Sequence, residues 1–369
     1  MRSAADLIWV RLPDAVGRLS VLLGLVLRDG AYLRAWPPVA VAAPVGALLL
    51  GGVLGRVHPE ETFTGALWVM GPMLVVAGVG TALGLWAWLG YVLVDFLLFP
   101  HLLGLGAVEL PARAGLLPTY LLLAMLVVVI PQTVRSLVRV STPRARTLSG
   151  LRTPVEVGLS CVLFAALVYV WTQGAPILVR PAYTWAGSLP ATEAIQPVQA
   201  TGWFLVFLAA LAGAARPVLQ RVAERLTPPV GAQAAPSRPP RASTAASLAG
   251  SVLQAAFTVV LLAGALEGWL DALVAWVALT AILLGRRLLA GRIGGYVALA
   301  SRVPILARVV AGAAISFLLS RTILDLTFTA TLSFRPVVLA AVLSLVVFTV
   351  LLPERTGPGV PRPPRRVVR

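Results

Sequence analysis

From position 36 to position 352 the chain passes repeatedly through runs of roughly 20 residues with almost no charge, the length an α-helix needs to cross a bilayer core. The runs lie near 36–55, 64–84, 86–106, 116–134, 155–172, 201–216, 248–266, 272–285, 304–320 and 336–352. A backbone in hydrocarbon has no water to bond, so each run must satisfy its own N–H and C=O groups, as a helix does. The sequence therefore predicts an all-α fold, a polytopic transmembrane helix bundle of about ten spans. Charged residues make up 12% of the chain, against about 25% in a soluble domain.

Every basic residue is arginine, and the net charge is +16. Basic charge can serve nucleic acid, but here the arginines gather between apolar runs, and no nucleic-acid partner is expected. If the runs alternate in direction, one side receives Arg2, Arg11, Arg18, Arg28 and Arg34; Arg135, Arg139, Arg144, Arg146 and Arg152; Arg216, Arg221, Arg225, Arg238 and Arg241; Arg286, Arg287, Arg292, Arg302 and Arg308; and Arg355, Arg362, Arg365, Arg366 and Arg369. The other side receives only Arg56, Arg113, Arg180, Arg321 and Arg335. Arginine-rich loops stay in the cytoplasm. The split predicts a plasma (inner) membrane protein with both termini cytoplasmic.

Residues 64–108 are the hard stretch, with only Asp95 and His101 ionisable. The flanking arginines require an odd number of crossings from 64 to 134, and three fit the length. One crossing with re-entrant pieces is the alternative. Gly78, Gly80 and Gly84, followed by Trp86 and Trp88, suggest a tight inner turn. Trp36, Trp68, Trp171, Trp203 and Trp269 also fall near proposed span ends, where indoles favour the interface.

The remaining segments divide the chain. In 1–35, Leu12, Val16, Leu19, Leu23 and Val26 follow helical spacing, which predicts a basic amphipathic helix on the cytoplasmic face or packed beneath the bundle. A first bundle of about six spans would occupy 36–226 and a second of about four 248–352. Between them, 227–247 is rich in Pro, Ala and Ser, the composition of a flexible cytoplasmic linker. The tail 353–369 is basic, Pro-rich and predicted disordered. Two outer loops are long: 173–200, with four prolines, and 322–335, where Leu324, Leu326 and Phe328 alternate with Asp325, Thr327 and Thr329 in the manner of a strand.

Few residues can carry chemistry. Asp95 lies within an apolar run, where a carboxylate must face protein or water. With His101 it forms a candidate intramembrane polar site, and Pro100 between them is expected to bend the helix. Glu267 and Asp271 stand four apart at an outer turn and form a candidate external acidic pair; exposed acids more often just mark the water boundary. Arg321 and Asp325 form a candidate ion pair, of little weight if exposed. Arg11, Arg18, Arg28, Arg135 and Arg139 are the expected contacts for anionic lipid headgroups. Gly51/Gly55, Gly80/Gly84 and Gly291/Gly295 have the spacing of close helix packing.

Cys161 is the single cysteine, so no intrachain disulfide can form, and the few histidines speak against a metal site. The chain has no P-loop, no HExxH helix and no GxSxG elbow, and no cofactor is expected. The sequence thus reads as a non-enzymatic membrane protein. A permease- or channel-like transport component and a non-catalytic scaffold subunit are the leading expectations, with a lipid-processing enzyme behind them. Partner chains, such as an ATPase or other membrane subunits, fit either of the first two.

Overall fold

The structure is a computed structural model that describes residues 2–19, 21–57, 66–98, 117–141, 152–185, 191–226, 244–262, 269–290, 303–329 and 336–352. Among these residues every regular element is helical. In chain order they are α1 (Arg2–Asp6), α2 (Leu12–Leu19), α3 (Val21–Leu27), α4 (Pro37–Val57), α5 (Ala66–Val79), α6 (Thr81–Val92), α7 (Leu117–Ala124) and α8 (Ile130–Ser141). They continue with α9 (Arg152–Trp185), α10 (Ala191–Leu226), α11 (Thr244–Leu262), α12 (Trp269–Ala290), α13 (Ile305–Thr329) and α14 (Pro336–Leu351). Wider π-helical turns join α1 to α2 (Leu7–Arg11), extend α6 (Leu93–Leu98) and join α7 to α8 (Met125–Val129).

Five stretches among the described residues are long and apolar enough to cross a membrane: Pro37–Arg56, Thr119–Arg139, Pro154–Ala175, Gly202–Leu226 and Ile305–Ile323. Shorter apolar helices occupy Leu67–Val79, Thr81–Phe96, Leu248–Val260, Leu270–Gly285 and Leu339–Leu351. The outer faces are apolar too: Trp203, Phe204, Phe207 and Leu211 on α10, with Val162 and Val170 on α9, are all exposed. Water would not tolerate so large an apolar patch; lipid does. These features mark a membrane-embedded helical protein.

Contacts divide the chain into two compact units. In the first, α9 and α10 pair along their length, α5 lies on α10 and α6 lies on α4. The α9 stripe is Phe164, Val168, Trp171 and Ala175; that of α10 is Val198, Leu205, Ala209 and Ala212. Both recur at steps of three, four or seven residues, the spacing of one helix face. Between α4 and α6, backbone meets backbone. A methyl group at Gly51 would stand 1.8 Å from the Ala87 carbonyl oxygen, and one at Gly90 would stand 2.0 Å from that of Leu48. The expected Gly51/Gly55 packing is thus internal to the bundle. Gly291 and Gly295 lie outside the described residues.

The amino-terminal segment is not one helix. α2 ends at Leu19 and α3 begins at Val21, and a methyl at Gly24 would sit 2.7 Å from the Gly17 Cα. Seven residues apart on a straight helix, those atoms would be about 10 Å apart, so the chain doubles back between them. The segment is fastened to α4 by Trp9. Pro44, inside α4, has no N–H for the Ala40 carbonyl one turn earlier. The Trp9 indole donates to that oxygen at 2.7 Å, and the ring is buried.

The second unit holds Ser251–Val259 and Ala265–Arg369. Its core joins Ala255 and Val259 of α11 to Ala275, Leu279 and Leu283 of α12, with Val342 and Leu345 of α14 against them. The Trp276 indole donates to the Val252 carbonyl at 3.3 Å. Arg308 on α13 donates to the Leu351 carbonyl at the end of α14, at 3.4 Å.

Two sequence expectations fail. The long outer loop at 173–200 is helical through Trp185 and again from Ala191. Its prolines read as loop signals, but pairing of α9 with α10 sustains both helices, and each is roughly 50 Å long against a hydrocarbon core of about 30 Å. The strand expected in 322–335 is also helical as far as Thr329. There, Thr322 bonds back to the Leu318 carbonyl of its own helix at 2.9 Å. A helix already nucleated extends more readily than a lone strand forms. The linker expected at 227–247 lies outside the described residues except for its last four, which begin α11, and the tail 353–369 lies outside them entirely.

Candidate functional site

Two aspartates in the first unit are fully buried, Asp29 and Asp95. The first was not among the sequence candidates. It stands where α3 has ended, just before Gly30, whose φ of 109° is a left-handed conformation that glycine adopts without strain. This turn presents Asp29 to the break between α5 and α6. Gly80, at that break, is extended and has no side chain to cap α6. Asp29 does so from a distant part of the chain. Its Oδ2 accepts the Thr81 N–H at 3.0 Å and the Thr81 hydroxyl, and its backbone carbonyl accepts the Ala82 N–H at 3.2 Å. A carboxylate at a helix N-terminus also meets the positive end of the helix dipole.

The other carboxylate oxygen, Oδ1, accepts from two guanidiniums, Arg135 of α8 and Arg216 of α10. Nearby, the Tyr32 hydroxyl donates to the Val79 carbonyl at 2.6 Å. Burial pushes this phenol up to about 12, against the opposing pull of Arg216, so Tyr32 stays a neutral donor. Four distant places in the chain therefore meet: the turn before α4, the α5–α6 break, the middle of α8 at Arg135 and α10 about three turns before its end at Arg216.

Arg135 was expected to meet headgroups. It turns inward to a buried anion, which attracts it more strongly in a low dielectric than a solvated headgroup would. Arg28 also differs from expectation, because it pairs with Asp14. Arg34 pairs with Asp6 at 2.7 Å. Arg139 and Arg11 are exposed, and the Arg18 side chain lies outside the described residues.

Asp95 sits in the π-helical turn that extends α6. Fourteen residues beyond Thr81, it lies roughly 20 Å from the arginine end, near the far end of the apolar stretch Thr81–Phe96. Its Oδ2 accepts the Tyr120 hydroxyl at 2.6 Å. The Tyr120 ring meets Tyr91 and Phe96 edge-on, with centroids 6.3 and 6.1 Å away. Tyr91 and Tyr120 are themselves buried. The carboxylate thus faces protein, as its cost in lipid requires. The α7 chain leading into the next π turn is clamped by indoles: Trp88 donates to the Tyr120 carbonyl at 2.8 Å and Trp171 to the Leu122 carbonyl at 3.1 Å. These two tryptophans, expected at the interface, bond inside the bundle. Wide helical turns of this kind recur at functional sites.

Hydrogen-bonding character separates the two aspartates. Guanidinium and backbone N–H groups only donate, so Asp29 must remain an acceptor at both oxygens. A phenol both donates and accepts, so the Asp95–Tyr120 bond survives whether or not Asp95 carries a proton.

The other sequence candidates are only partly placed. His101 and Pro100 lie outside the described residues, as does Glu267. Asp271 is not an exposed loop acid; it is buried in the first turn of α12, where a carboxylate suits the helix dipole. Arg321 is exposed on α13, and nothing is placed for the Asp325 side chain. No group of residues fit to hold a metal ion occurs among the described residues. Comparison with known proteins finds no matching family model, no similar curated protein and no similar solved structure.

Proposed function

We propose that this chain is a permease-like transport component of the plasma membrane, and that the Asp95–Tyr120 pair is its proton-responsive element. One observation carries the proposal: a fully buried carboxylate bonded to a hydroxyl that accommodates both of its protonation states. The bond to Tyr120 can then persist in either protonation state of the carboxyl. The chain lacks recognisable catalytic or nucleotide motifs, which favours a non-enzymatic role. An ATP-driven engine, if there is one, resides on a partner chain.

The full topology belongs to the same proposal: about ten spans, with both termini cytoplasmic. The meeting of Asp29, Thr81, Arg135 and Arg216 supports it. It requires an even number of crossings between successive members, as the arginine pattern predicts. Labelling of single cysteines on a Cys161→Ser background should find Pro240→Cys cytoplasmic and Trp185→Cys external; the reverse would overturn the orientation.

Proton flux tests the function. Proteoliposomes with a trapped pH dye should acidify faster after an external acid pulse than protein-free vesicles. Asp95→Asn should remove the difference while the protein still inserts and folds. If Asp95→Asn conducts like the parent, the transport reading fails. The scaffold reading would then lead, on the strength of the backbone seam between α4 and α6 and the double-arginine clamp on Asp29, features suited to a rigid body.

A further inference from the structure

Beside α4 a groove of about 410 Å³ opens along one side, lined by Leu7, Ile8, Leu12, Pro44, Val45, Leu48 and Trp86, with Arg11 among them. Its surface is wholly apolar. It begins at the arginine end of the unit. From there Pro44, Val45 and Leu48 lead successively deeper along α4, and Trp86 lies just over one turn into α6. The groove therefore runs as a lipid tail does, from a polar rim into the hydrocarbon.

Charge identifies what belongs at the rim. The acids of the amino-terminal 35 residues are Asp6, Asp14 and Asp29. Each is already engaged: Asp6 by Arg34, Asp14 by Arg28, and Asp29 by Arg135 and Arg216. Arg11 is exposed and has no ion pair among the described residues. Arg11 thus borders an apolar groove while being exposed, which suits a snorkelling arginine with its stem on apolar surface and its guanidinium toward headgroups. A guanidinium fits a phosphate with two parallel N–H donors.

We propose that this groove holds one anionic phospholipid, with an acyl chain on Val45, Leu48 and Trp86 and the headgroup phosphate on Arg11. The lipid would be retained selectively, as a fixed part of the fold between the amino-terminal helices and α4. The proposal rests on the membrane placement above.

Trp86 reports the occupant directly. The full chain is reconstituted in phosphatidylcholine nanodiscs containing a minor fraction of lipid brominated on its acyl chains, either phosphatidylglycerol or phosphatidylcholine. Quenching assigned to Trp86 is the parent signal minus that of Trp86→Phe. Brominated phosphatidylglycerol should reach half-quenching at about fivefold lower fraction than brominated phosphatidylcholine, whose choline cation offsets its phosphate; that is the preference one arginine confers for a lipid of net negative charge. Arg11→Gln should abolish that preference without altering the folded protein. Millimolar inorganic phosphate should leave the quenching unchanged, since a free anion cannot fill the groove. Equal quenching by the two lipids, or an unchanged preference in Arg11→Gln, would overturn the site. Loss of quenching on adding phosphate would overturn the acyl-chain half. No quenching by either lipid would overturn the membrane placement itself.

Discussion

Asp29 and Asp95 are equally buried, yet their described partners differ in hydrogen-bonding character. Around Asp29 the protein has assembled two arginines, a helix N-terminus and a threonine hydroxyl, all donors toward a fixed anion. Around Asp95 it has placed a tyrosine within an aromatic cluster. Burial alone therefore says little about the role of an acid in a membrane protein. The donor and acceptor character of its partners says more. A buried ion held by fixed donors organises a fold, and a buried acid against an amphoteric hydroxyl can change state.

The largest effect should come from Asp29→Asn. It strands two partly buried guanidiniums, and breaking such a cluster typically costs about 3–5 kcal/mol. Denaturant or thermal unfolding in detergent should show it. The triple variant Asp29→Asn, Arg135→Met, Arg216→Met should recover much of the loss, because apolar replacement of a whole buried ion cluster is often close to neutral. If Asp29→Asn unfolds no more readily than Asp95→Asn, the contrast between the two sites is broken.

Gly51→Ala should be next, at about 1–3 kcal/mol, because its methyl group would meet the Ala87 carbonyl. By parting α4 from α6 it should loosen the Asp95 environment, and hydrogen exchange along α6 would report that. Tyr120→Phe removes one hydrogen bond to Asp95 and should cost about 0.5–1.5 kcal/mol. It should also weaken the pH dependence of proton flux, whereas Trp9→Phe, which loses a comparable bond far from Asp95, should not. Equal flux behaviour in the two variants would remove the special standing of Tyr120.

The smallest effect sharpens the Asp29 side. Tyr32 is raised from 10 to about 12 in the folded protein. The unfolded chain therefore loses this proton first, and the contribution is complete below pH 10 and lost as the pH climbs towards 12. Melting temperatures measured across that window should fall more steeply for the parent than for Tyr32→Phe. Parallel slopes would place the alkaline sensitivity elsewhere.

The helical class and the membrane character were legible because hydropathy reports them directly. Apolar runs long enough to span need no knowledge of their neighbours. Asp95 was legible for the same reason, as an acid conspicuous within such a run. Its partner was not, since nothing about Tyr120 differs locally from any other span tyrosine. Asp29 was missed because it lies among arginines, where an acid looks like ordinary solvated charge. Only the Asp29-Gly30 dipeptide, a turn signal, hinted at a special backbone there. The strand reading at 322–335 failed for a local reason as well. Alternation of Thr with Leu and Phe satisfies a sheet, but Thr322 at the head of the stretch bonds back along its helix, a use of threonine that the sequence pattern does not distinguish.

The cluster at Asp29 also sets an order of assembly. Arg216 is synthesised 187 residues after the carboxylate it holds. At a translation rate of 5–20 residues per second, roughly 10–40 s separate the two. Throughout that interval Asp29 lacks one of its two guanidinium partners, and α4 to α9 are made before Arg216 is. The contact can form only once most of α10 has been made. A ribosome-bound chain truncated before Arg216 should remain protease-sensitive near Gly30, and the sensitivity should vanish once α10 has emerged.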